Sequence, residues 1–139
     1  MAESIPHSYV LARLKLVGLR PTRQRLALAK LLFEPGKRHV TAEQLYSKAR
    51  NVGIKVSLAT VYNTLHQFTN AKLLREVVVE PGRAYFDTNT ANHHHIFNQD
   101  TGELWDIPDS SISNFNLPKI PKDMTIDRID VIIRLKKSF

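Results

Sequence analysis

Along the first half of the chain, apolar residues recur every three or four positions; beyond that, they recur every second one. "SYVLARLKLVGLR" places Val10, Leu11, Leu14 and Val17 at helical spacing and stops at Gly18. "PTRQRLALAKLLFEPG" opens with Pro21 and Thr22, carries an apolar stripe and breaks at Pro35-Gly36. "TAEQLYSKARNVG" starts on a Thr41 cap, has Glu43 in its first turn and stops at Gly53. In "SLATVYNTLHQFTNAKLL" a Ser57 cap precedes Leu58, Val61, Leu65 and Phe68, which share one face and predict a core-facing helix.

The period then shortens. "LREVVVE" and "GRAYFDT" are β-type runs joined by Pro81-Gly82, the pattern of a hairpin. Helices followed by a hairpin predict a winged helix, with the fourth helix entering the major groove and the hairpin as its wing. After the polar stretch "NTAN", "HHHIFNQ" and "ELWDI" flank the turn Asp100-Thr101-Gly102 and predict a second hairpin. "SSISNFNLPKIPKD" reads as irregular. "MTIDRIDVIIRLKK" reads as a long final strand with Ile129, Val131, Ile133 and Leu135 on one face. The expected fold is α+β: a winged helix-turn-helix domain over 1–88, a hinge over 89–92 and a small α/β domain over 93–139. A sheet that small buries little surface alone and tends to dimerise.

Composition narrows the class. With 42% hydrophobic and 24% charged residues the chain is globular rather than disordered. It contains no apolar run of the roughly 18 residues that a membrane span needs. The start lacks the basic-then-apolar order of a signal peptide. There is no cysteine, which excludes disulfides, thiol catalysis and thiolate metal sites. The expectation is a cytoplasmic protein with no membrane partner. Residues 1–81 carry 13 Lys or Arg against 5 acids, a balance of +8, whereas 82–139 carry 7 against 8, a balance of −1. A basic half joined to a near-neutral half points to a polyanion partner for the first. On the fourth helix the face opposite the core set holds Ala59, Thr60, Tyr62, Asn63, His66 and Gln67, types that read base edges and thymine methyls. Lys15, Arg20, Arg23 and Arg25 are placed to meet phosphates. The alternative is a solvated helix face on a basic surface.

The run His93-His94-His95 raises a separate question. In a strand, His93 and His95 share a face while His94 looks away. Asp87 ends the first hairpin six residues before His93, and Asp106 lies in the partner strand of the second. Two imidazoles and two carboxylates without thiolates suit Fe²⁺, Mn²⁺ or Zn²⁺. A solvated polar strand is the competing reading.

"RHVTAEQLY", "SLATVYNTLHQF" and the spacing Asp87–His93–His95–Asp106 resemble the ferric uptake regulator family over nearly the whole chain. The resemblance implies a winged-helix domain, a C-terminal α/β dimerisation domain and a regulatory metal site joining them. It also implies a homodimer bound to double-stranded operator DNA. By position, His39 matches the family's ligand before the third helix, and Asp87, His93, His95 and Asp106 match the other four. The spacing is similar to the peroxide-sensing branch, with Fe²⁺ or Mn²⁺ at the site. Asn98 and Thr101 stand where the family's first Cys-x-x-Cys pair would be, so no structural Cys₄ zinc is expected. The triple histidine with a cysteine-free C-terminal half looks most like the iron response regulator branch, which implies haem binding at His93, His94 and His95, although this chain lacks the N-terminal cysteine haem motif that some members of that branch carry.

These features predict a metal- and haem-responsive transcriptional regulator of iron homeostasis. In it, metal would favour the DNA-competent state and haem would release it. A peroxide-stress regulator using Fe or Mn at the same site is the alternative. A hydrolase or cupin-like oxygenase would need an open coordination position in a substrate pocket, and five protein ligands leave little room for one. No catalytic residue is assigned.

Overall fold

The computed structural model describes residues 6–34, 39–91, 93–107 and 116–138. The chain forms two compact units, 1–90 and 91–139.

The first unit holds α1 (His7–Leu16), α2 (Arg23–Leu32), β1 (His39–Val40), α3 (Ala42–Asn51), α4 (Leu58–Asn70), β2 (Arg75–Glu80) and β3 (Arg83–Asp87). Short polar side chains start three of its helices. The Thr22 hydroxyl accepts from the Arg25 N–H, and the Ser57 hydroxyl from the Thr60 N–H. At α3 the Thr41 hydroxyl accepts from the Gln44 N–H at 3.1 Å, and the Gln44 amide oxygen accepts from the Thr41 N–H at 2.9 Å. This reciprocal pair satisfies two donors that the helix cannot. The Pro35-Gly36 break after α2 lies outside the described residues.

Val10 and Leu14 of α1, Leu28 and Leu32 of α2, Leu45 and Ala49 of α3, and Val61, Leu65 and Phe68 of α4 build one core, closed by Leu73, Leu74 and Phe86. Each helix therefore buries the centre of the face that its spacing predicts, while Leu11, Val17 and Leu58 are only half-buried and Thr64 takes a core position. At the end of α4 Lys72 adopts a left-handed conformation (φ 64°), and the Leu73 N–H reaches the Phe68 carbonyl at 2.9 Å, closing the helix.

The sheet of this unit is antiparallel in the order β1-β3-β2. The β2–β3 turn pairs Pro81, which suits a negative φ, with Gly82 at φ 76°, the pattern of a type II turn. Such a turn matches strand twist poorly, and the register shift between Val78 and Glu80 absorbs the mismatch. β1 was not expected from the pattern. Its two residues pair with Asp87 and Phe86, so His39 stands in a strand rather than in a loop.

The second unit holds β4 (His94–Asn98), β5 (Leu104–Ile107) and β6 (Ile132–Leu135) in the order β5-β4-β6. β4 and β5 are antiparallel; β4 and β6 are parallel. His95 opposes Asp106 and Phe97 opposes Leu104, so these four share a face, while His94 and Ile96 occupy the other. The turn after β4 is closed by Asn98, whose amide oxygen accepts from the N–H groups of Asp100 (2.9 Å) and Thr101 (3.2 Å). The Asp100 carboxylate accepts from the Lys137 N–H at 2.8 Å, pinning the chain beyond β6 to the same turn.

The final strand is much shorter than its alternation suggests. Only Ile132–Leu135 pair, because β4 offers just His95 to Asn98 as partners. Ile129 and Val131 are half-buried, while Ile133 and Leu135 are each 41% exposed. Part of the irregular stretch before it, 108–115, lies outside the described residues; 116–131 has no helix or strand. Among the described residues no helix is long and apolar enough to cross a membrane.

Candidate metal and nucleic-acid sites

In the first unit, strand pairing sets His39 directly opposite Asp87, and His39 Nε2 lies 3.0 Å from Asp87 Oδ2. The other carboxylate oxygen accepts from the Asn89 N–H at 2.8 Å. That bond fixes the rotation of a fully buried carboxylate (0% exposed) and turns Oδ2 towards the imidazole. A buried carboxylate is tolerated only with such partners or a cation.

In the second unit, His93 and His95 are buried with ring centroids 4.4 Å apart. Asp106 Oδ1 lies 3.1 Å from His93 Nε2 and 3.3 Å from His95 Nε2. His93 Nδ1 is 2.6 Å from the Ala91 carbonyl, which can only accept, so that nitrogen carries the hydrogen. In the neutral ring Nε2 then presents its lone pair towards Asp106, the arrangement a metal-ligating histidine requires. The donor atoms of His93, His95 and Asp106 fall within 4.8 Å of one another. His94 does something different: its Nδ1 accepts from the Val131 N–H at 3.2 Å and holds the approach to β6.

The expected DNA-facing residues divide into engaged and open groups. The Tyr62 hydroxyl donates to Glu43 Oε1 at 2.6 Å, tying α4 to the first turn of α3. This bond and partial burial raise the Tyr62 pKa above its ordinary 10.0. The Thr60 and Ser57 hydroxyls are 2.9 Å apart. Arg25 donates to Gln67 Oε1 from Nε (3.3 Å) and Nη2 (3.1 Å), and from Nη1 to the Arg20 carbonyl (2.9 Å). Arg25 thus braces α2 against α4 as well as adding charge there. Lys15, Arg20, Arg23, Ala59, Asn63 and His66 are exposed. A polar cleft of about 550 Å³, lined by Tyr62, His66, Glu76, Arg83 and Tyr85 among others, runs between α4 and the hairpin. Nothing in the local pattern signals the partners of Tyr62 and Arg25: Glu43 lies 19 residues from Tyr62 and Gln67 lies 42 from Arg25.

A basic winged-helix unit followed by a small sheet that carries imidazole and carboxylate side chains is the architecture of a metal-responsive DNA-binding regulator of transcription. The family model described as "Ferric uptake regulator family" matches residues 16–134. The chain belongs to that family. It is 38% identical over 100 residues to the ferric uptake regulation protein of Shigella flexneri, covering 71% of this chain and 68% of that protein. It is 37% identical, with the same coverage, to that of Escherichia coli K12. The manganese-bound ferric uptake regulator of Pseudomonas aeruginosa superposes with a TM-score of 0.73 at 26% identity, over 94% of this chain and 98% of that one. The Vibrio cholerae regulator gives 0.72 at 25%, over 91% and 98%.

Proposed function

We propose that this chain is a cytoplasmic homodimer that binds double-stranded operator DNA when one Fe²⁺ or Mn²⁺ is held jointly by His39, Asp87, His93, His95 and Asp106. Zn²⁺ would substitute in vitro. The observation that carries this reading is the pair of imidazole–carboxylate sets, His39 with Asp87 and His93 and His95 with Asp106, each oriented by backbone and strand pairing. Their donors are nitrogen and oxygen alone, which favours borderline and harder ions. Only a short run of chain, Asp87 to His93, separates the two sets. When bound, the ion supplies a cross-link between the half that reads DNA and the half expected to dimerise.

The residues have distinct parts in this. Asn63 and His66, with Thr60 and the ring of Tyr62, face base edges; Lys15, Arg20, Arg23 and Arg25 face phosphates. The proposal extends to iron homeostasis, with haem as a signal. His94 lies on the face of β4 opposite His95, and imidazole is a standard axial ligand of haem iron.

Equilibrium dialysis against Mn²⁺ tests the shared site. One ion per chain is expected, lost on either His39→Ala or His95→Ala alone. Retention of the full stoichiometry in either variant contradicts a joint site. Absorbance titration with haem tests the second part, and a Soret band unchanged in His94→Ala would remove His94 from it.

A further inference from the structure

Arg75 occupies a position that the burial pattern of β2 reserves for an apolar residue. Along that strand Arg75, Val77 and Val79 are buried, with Arg75 only 7% exposed. A guanidinium keeps its charge when buried, so it must be balanced by an anion nearby. Strand register supplies one. Arg75 pairs with Asp87, which pairs in turn with His39, giving the row His39–Asp87–Arg75 straight across the sheet. Directly opposed residues point to the same face with Cβ atoms about 5 Å apart, well within reach of an arginine. Glu76 alternates to the other face, so it cannot take the role.

We propose that Arg75 is the resident counter-cation of Asp87. It balances and positions this carboxylate in the metal-free protein, and its charge opposes a divalent ion at the same carboxylate. Arg75 is thus a positioning residue that sets how much metal is needed for occupancy. The row lies at the start of β2, the strand leaving α4 for the hairpin, so the threshold is set beside the DNA-reading elements. The proposal rests on Asp87 being a metal ligand.

The test compares Arg75→Met, Arg75→Lys and Asp87→Ala in the full-length protein. Mn²⁺ affinity is measured by competition with a chromophoric chelator, and Tm is measured with and without Mn²⁺. Removing one positive charge near a divalent ion is expected to tighten Mn²⁺ binding by about tenfold in Arg75→Met. The metal-free Tm should fall and the metal-induced rise in Tm should grow. Arg75→Lys, which keeps the charge, should stay near the parent, and Asp87→Ala should bind Mn²⁺ weakly. Unchanged or weaker binding in Arg75→Met, with Asp87→Ala weakened, overturns the role of Arg75 alone. Unchanged binding in Asp87→Ala overturns the ligand assignment beneath it.

Discussion

At Tyr62 the side chain expected to face DNA is also held from within. Its hydroxyl donates to Glu43, so the groove is offered the ring and an oxygen lone pair rather than the proton. The bond to Glu43 is the largest cause of the raised pKa, followed by burial and then by the negative charge of Glu43. A folded-state pKa above the unfolded value means the contribution to stability is fully present below the ordinary 10.0. It is lost as pH rises through the raised value. Glu43→Gln should therefore shift one of the four tyrosines back towards 10.0 in a phenolate absorbance titration. An unchanged titration would mean the bond does not persist in solution. The alternation of His93 and His95 was legible because strand period alone decides which face a side chain takes. The rotation of Asp87 was not, because it depends on an N–H two residues onward in a turn with no periodic signal.

Among the elements, the four helices and the first hairpin followed from apolar spacing, caps and Pro81-Gly82. β1 was invisible, since two residues carry no period and its partner strand lies more than forty residues away. β6 was overestimated for the opposite reason: alternation in "IDRIDVIIRLKK" begins well before the four residues that pair with β4. The turn at Asn98 shows how a cysteine-free chain holds these pieces together. Where the family resemblance would place a thiolate pair, the Asn98 amide closes the turn and Asp100 captures the Lys137 N–H. Asp100→Ala should weaken the end of β6 by about 1–3 kcal/mol, a charge-assisted hydrogen bond's worth. Hydrogen exchange at Lys137 and Leu135 reads this directly. Unaltered protection there would show that the β4–β6 ladder suffices alone. In the first unit, Thr41→Ala should cost about 1 kcal/mol in a urea melt because the α3 cap is removed. No change in stability would mean that Gln44 and water replace it.

At the scale of the whole molecule, the charge asymmetry visible in the sequence governs how binding should respond to salt. If the +8 balance of residues 1–81 serves to neutralise phosphates, a dimer covering about six to ten of them weakens roughly 10³- to 10⁵-fold in affinity between about 50 and 200 mM salt. Replacing Lys15 and Arg23 by alanine should flatten the logarithmic slope by about 0.9 for each phosphate left unneutralised. A slope untouched by these changes would place both side chains away from the DNA. Specificity should follow Asn63 and His66 instead, since groups on base edges discriminate and groups on phosphates only position.

The most direct measurement is fluorescence anisotropy of labelled AT-rich operator DNA with the parent protein and His93→Ala/His95→Ala, each in EDTA and then with Mn²⁺. Tight binding by the parent only with Mn²⁺, and weak binding by the double variant in both conditions, is the predicted result. Equal affinity of the parent in EDTA and Mn²⁺, or a metal response kept by the double variant, would contradict metal control through these histidines.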